Sequence, residues 1–142
     1  MIVINGEKAI FGRVLAFSAK KLQEGEDVVV VNAEKTVISG NPEKIVARYF
    51  AKRGITNKNN PEHAPKFPVR PDLFLKKALR GMLPKKKASG KKAREKFKAF
   101  LGMPKEFEGK AQKFYKTSDD LSISFISLGE VCKKLGWKTQ LN

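Results

Sequence analysis

Lys76, Lys77 and Arg80, then Lys85-Lys86-Lys87, then Lys91, Lys92 and Arg94 crowd nine cations into 19 residues. Ammonium and guanidinium groups at that density do one kind of chemistry well. They neutralise phosphates, and each phosphate neutralised releases condensed counterions. The wider segment 51–116 holds 20 Lys and Arg against five Asp and Glu, a net of +15. Residues 1–50 carry a net of +1 and residues 117–142 a net of zero, so nearly all of the chain's +16 lies in that one stretch. A solubilising surface needs a net charge of only about 2–8 with the signs mixed. Fifteen surplus charges on 66 residues repel one another unless a polyanion covers them. Nucleic acid is the expected partner. Charge and helical geometry add Arg48, Lys52, Arg53, Lys58, His63 and Arg70 to the candidate surface.

Catalytic chemistry finds no comparable support. The dinucleotide fingerprint needs three close glycines after a strand, whereas Gly6 and Gly12 stand six apart with no third. A P-loop fails too, because five residues separate these glycines and Arg13-Val14 follows where Lys and Ser/Thr are required. His63 is the single histidine and lies in a proline-rich loop, where a phosphate or base contact and a solvated side chain are both open. Asp119-Asp120 are adjacent, so they read as turn residues and not as a converging acid/base pair. Cys132 shares the helical spacing of Leu128, Val131 and Leu135, which makes it a small core residue. A lone cysteine also excludes an internal disulfide and fits a reducing compartment. The expectation is a cytoplasmic non-enzyme, without signal peptide, membrane span or cofactor.

Stepping outward to the elements that must hold these cations, 142 residues make one domain. Met1 to Ile4 is an apolar run ending at the Asn5-Gly6 turn, and Val28 to Val31 are four β-branched residues between Asp27 and Asn32. Both read as strands covered on both faces. A helix over about Gly12 to Glu24 lies between them, with Leu15, Ala19 and Leu22 inward and Gly25 as its stop. Thr36-Val37-Ile38 forms a further short strand, and Asn41-Pro42 caps a helix with Ile45, Val46, Tyr49 and Phe50 inward and Lys44, Arg48 and Lys52 as a basic ridge. In the last block Leu121, Ile123 and Phe125 alternate with serines as a half-buried strand, and Ser127 caps a helix ending near Gly136.

The fold class is α/β, three layers in α/β/α order, with a small, mostly parallel sheet and a basic loop-and-helix insert. Residues 1–50 and 117–142 form the frame and 51–116 the insert. Asn57 to Pro71 has no apolar periodicity and reads as an irregular loop. A helix from Pro71 buries Leu75, Ala78, Leu79 and Met82. A second, from about Ser89, buries Ala93, Phe97, Phe100 and Leu101. Phe67, Phe107, Phe114 and Tyr115 are open between base stacking and packing.

Five words of the chain resemble one family: Phe11-Gly12-Arg13-Val14-Leu15-Ala16, Val29-Val30-Val31-Asn32-Ala33-Glu34, Ile38-Ser39-Gly40-Asn41, Arg80-Gly81-Met82-Leu83-Pro84 and Phe100-Leu101-Gly102-Met103-Pro104. They are similar, in order, to large-subunit ribosomal protein L-thirteen in its archaeal form, and span about residues 1–105. Leu128-Gly129-Glu130 and Leu135-Gly136-Trp137 resemble archaeal members as well, and Phe11 departs from the Leu of many members. The resemblance implies a frame docked on large-subunit ribosomal RNA beside neighbouring ribosomal proteins, acting early in subunit assembly. It implies no catalysis, no cofactor and no small-molecule substrate. The family's RNA-contacting loop carries over onto Arg80, Gly81, Met82, Leu83 and Pro84, with Lys85, Lys86 and Lys87 adjoining, although Met82 and Leu83 serve equally well as packing residues. A chromosome-compacting DNA-binding protein is the alternative that charge alone allows.

Overall fold

The structure, a computed structural model, describes residues 1–139. Strand β1 (Ile2–Asn5) and strand β2 (Val28–Val31) lie side by side in parallel, with Ile2 opposite Val28 and Asn5 opposite Val31. Helix α1 (Phe11–Gln23) connects them and buries Val14, Leu15, Ser18, Ala19 and Leu22. Gly25 ends that turn at φ +94°, a left-handed position that glycine takes without strain. Two more parallel strands complete the sheet: β4 (Phe97–Ala99) beside β2, and β5 (Gln112–Lys113) beside β1. The order is β4-β2-β1-β5, so the basic segment supplies both edges. Outside this sheet, β3 (Val37–Ser39) pairs antiparallel with β6 (Phe125–Ser127) as a separate ribbon.

Alternation along β1 and β2 sends side chains to two cores. Ile4, Val28 and Val30 face the larger one, with α1, α3 (Pro71–Met82), α4 (Ala88–Glu95) and α5 (Leu128–Lys134). Val3, Val29 and Val31 face a smaller one, closed by Phe107 from a 3-10 turn and by Phe100, Met103 and Ala111. The three-layer α/β arrangement expected from the sequence is therefore present, with the second outer layer reduced to this turn and its flanking chain. Helix α2 (Pro42–Arg53) is capped as expected: the Asn41 side chain accepts from the Glu43 and Lys44 amides at 3.0 and 3.4 Å.

Four expectations fail in detail. Phe97, Phe100 and Leu101 do not extend a helix. The chain leaves α4 at Glu95, Phe97 and Ala99 point into the core from β4, Lys98 points out and Leu101 is exposed. Spacings of three and four residues fit a helix, but Phe97-Lys98-Ala99 also satisfies a period of two, and pairing with β2 selects the strand. Met82 is 42% exposed while Leu83 is buried. Residues before proline are pushed into extended backbone. Leu83 accordingly leaves the helix (φ −102°, ψ 153°) and turns inward in place of Met82. Phe50 is 63% exposed, because Ile45 and Tyr49 define the inward line and Phe50 lies one residue further round the helix. Finally, the strand expected over Leu121 to Phe125 forms instead over Phe125–Ser127: Ile126 is buried opposite Ile38, Phe125 is exposed, and the exposed Ile123 lies outside the strand.

Candidate nucleic-acid interface

Helices α3 and α4 are joined by a turn whose geometry depends on one missing side chain. A Cβ on Gly90 would lie 1.9 Å from the carbonyl oxygen of Pro84. Only glycine lets the first turn of α4 sit against that carbonyl, and the chain from Pro84 to Lys87 is folded over it. Leu83 anchors the turn from below, buried in the main core. Lys85, Lys86 and Lys87 are left exposed at the tip. Lys76, Lys77 and Arg80 are exposed along α3, and Lys91 and Lys92 along α4. Arg94 is half-buried, with its Nε donating to the Gly90 carbonyl at 3.3 Å. Gly81 is exposed with open space beside it.

A second group gathers around an aromatic cluster. Tyr49 of α2, Phe67 and Phe74 of α3 pack with centroids 4.8–5.6 Å apart. Above them the Arg48 guanidinium sits 5.2 Å from the Tyr49 centroid, and the Lys52 ammonium sits 5.2 Å from Tyr49 and 5.9 Å from Phe67. These rings hold two long cationic side chains in place, which lowers the entropy lost when a ligand orders them. Lys58 and His63 are exposed in the loop, with the Asn60 amide 3.4 Å from His63 Nε2.

Arg70 and Arg53, like Arg48 and Arg94, are engaged within the protein. Arg70 makes a bidentate pair with Asp72, at 3.2 and 3.0 Å. Arg53 donates to the Leu135 carbonyl, tying α2 to the end of α5. Among the described residues, Arg70 is the one candidate cation with a carboxylate within 4.0 Å; the other ion pairs use Lys21, Lys35 and Lys96.

The open aromatic questions resolve by burial. Phe107 and Phe114 lie in the cores and Phe67 in the aromatic cluster, while Tyr115 is 69% exposed against Phe114. Gly6, Asp120 and Cys132 take structural positions. A Cβ at Gly6 would come within 2.9 Å of the Val31 and Asn32 carbonyls, so that glycine serves close packing. Asp120 closes a capping box with Thr117 around a 3-10 turn. Cys132 is fully buried, and burial, assisted by the charge of Asp72, pushes its thiol up to about 12. Sequence reasoning missed Gly90, whose role depends on a contact that no local pattern announces. It also missed Glu34, whose two carboxylate oxygens accept from the Gly102 amide at 3.2 and 3.1 Å and fix the chain leaving β4.

Known proteins match this chain over nearly its full length. The family model described as ribosomal protein L13 matches residues 1–106. A large ribosomal subunit protein uL13 from Methanocaldococcus jannaschii is 40% identical over 139 residues, covering 97% of this chain and 99% of that protein. The protein of the same name from Methanococcus maripaludis is 38% identical with the same coverage, and that from Aeropyrum pernix is 39% identical over 96% of this chain and 90% of its own length. The chain belongs to the ribosomal protein L13 family.

Proposed function

We propose that this chain is a structural constituent of the large ribosomal subunit in the cytoplasm, where it binds large-subunit ribosomal RNA, contacts neighbouring ribosomal proteins and supports early subunit assembly. It catalyses no reaction. The observation that carries the RNA contact is the basic surface of residues 51–116, held in place by strands at both sheet edges, where among the described residues only Arg70 and Lys96 have a carboxylate within 4.0 Å. In this reading 1–50 and 117–142 form the frame and 51–116 faces RNA within one domain. The Lys85–Lys87 turn, fixed by Gly90 and Leu83, and the exposed cations of α3 and α4 lie between RNA segments and screen their mutual repulsion, so that distant helices approach. Arg48, Lys52, Lys58 and His63 extend the contact. Arg70 and Arg53 contribute chiefly by shaping the protein. Recognition rests on phosphate positions and RNA shape more than on base edges.

Sedimentation of lysate through sucrose after a high-salt wash tests the reading. The expected result is cosedimentation with the large subunit, lost only at salt that strips core proteins. Recovery at the top of the gradient overturns it, as does equal competition by duplex DNA for the purified protein, which is the behaviour of a chromosome-compacting protein.

A further inference from the structure

Away from the α3–α4 turn, a groove of about 500 Å³ opens between the start of α1, strand β3 and helix α2. Its walls are largely apolar, from Phe11, Ile38 and their neighbours, and its only charged lining residues are Arg13 and Arg48. Among the described residues neither arginine has a carboxylate within 4.0 Å. Both side chains are solvent-exposed at the lining of the same groove, where a ligand can reach them together. An anion there finds two cationic donors and no nearby carboxylate to compete. Arg48 is already oriented by the Tyr49 ring, with one guanidinium nitrogen 3.4 Å from the phenol oxygen. Gly12 leaves the mouth of the groove clear, since a Cβ there would meet nothing within 4 Å.

We propose that Arg13 and Arg48 clamp a single backbone phosphate of RNA in this groove, with the attached ribose against its apolar walls. The planar guanidinium fork suits phosphate oxygens, and two forks on one phosphate give a contact that fixes position as well as charge. This rests on the reading of the chain as an RNA-binding protein. It adds a docking point on the neutral frame, through two residues outside the basic segment.

The test is the salt dependence of binding to transcribed large-subunit ribosomal RNA by the full chain, for wild type, Arg13→Gln, Arg48→Gln, the double variant and Gly12→Glu. Each neutralised phosphate contributes about 0.9 to the slope of log K against log salt. Either single substitution should weaken binding and lower the slope by at most about one. The double variant should lower it by about one and no more, because one phosphate is shared. Gly12→Glu, which leaves both arginines intact, should weaken binding by placing a carboxylate at the mouth. Melting temperatures of the free variants confirm that they are folded. Unchanged slopes in folded variants overturn the clamp, and so does a loss of about two in the double variant, which means two separate phosphates. If wild type itself fails to bind this RNA, the functional reading falls and not the clamp alone.

Discussion

Gly90 and Gly81 are both helical glycines exchanged most simply for alanine, and the structure assigns the two substitutions opposite signs. In a helix, glycine to alanine normally stabilises by about 0.5–1 kcal/mol, because the unfolded chain loses freedom that glycine had. At Gly81 nothing lies within 4 Å of the added Cβ, so that gain is realised. At Gly90 the added Cβ lies 1.9 Å from the Pro84 carbonyl oxygen and 2.8 Å from its carbon, where real Cβ contacts stay above 3.0 Å. The obstacle is backbone and cannot rotate away. Either α4 lifts from the core, uncovering Ala93, or the Pro84–Lys87 turn swings out and loosens Leu83. Overpacking of this kind costs about 1–3 kcal/mol, and a deficit exceeding 1 Å against backbone belongs at the upper end. After the helical gain is subtracted, Gly90→Ala should destabilise by about 2 kcal/mol. For a chain of this length that lowers the melting temperature by about 8 °C, while Gly81→Ala should raise it by about 2–4 °C. Far-UV circular dichroism of the RNA-free proteins, melted in one buffer and checked by urea midpoints, measures both. A Gly90→Ala protein that melts at or above wild type refutes the packing of α4 on Pro84.

Other expectations follow from single contacts. Arg80→Ala should weaken RNA binding and reduce the salt slope by about one, read by filter binding; an unreduced slope removes Arg80 from the phosphate contacts. Glu34→Ala strips the Gly102 amide of its charged acceptor and should cost about 1.5 kcal/mol in urea denaturation, with Glu34→Gln losing less. Cys132 should resist thiol reagents in the native protein and react only on unfolding. Its thiol is raised to about 12 in the fold, so the unfolded state loses that proton first and stability should fall as pH rises from about 9 towards 12. Cys132→Ala should flatten that part of the profile relative to wild type.

Charge, helical starts and the paired valine run were legible in the sequence because each is a local property. Asn41-Pro42 states a helix start by itself, and Val28 to Val31 state a doubly covered strand. What was not legible depended on partners distant in sequence. Phe97-Lys98-Ala99 satisfies helical and strand periods alike, and only the free edge of β2 decides between them. Pairing with β3 starts only at Phe125, so the alternation of Leu121 and Ile123 with serines marks no strand, and the face of the ribbon that meets the core takes Ile126 and leaves Phe125 outside. Within the candidate interface, nineteen residues could be chosen by charge and motif. That Arg70 is held by Asp72, that Arg53 serves a helix end, and that Arg13 shares a groove with Arg48 are all matters of packing.

The same segment that carries the cations also builds the core, and this couples stability to salt in a testable direction. Phe74, Leu75, Leu79, Leu83, Ala93 and Phe97 are buried in the main core, and they alternate in sequence with the exposed Lys76, Lys77, Arg80, Lys91 and Lys92. Folding therefore gathers charges that the unfolded chain could spread apart, and almost none of them gains a carboxylate in return. Salt screens such repulsion over a Debye length of about 10 Å at 0.1 M and about 3 Å at 1 M. The free protein should accordingly melt higher as sodium chloride is raised, while its affinity for RNA falls over the same range through counterion uptake. The opposite signs are the signature of a basic surface built to be covered. Replacing Lys85, Lys86 and Lys87 together by glutamine should shrink both dependences at once. If the melting temperature of free wild type is flat or falls with salt, the cations are not crowded by folding, and the uncompensated surface is not a source of strain that RNA relieves.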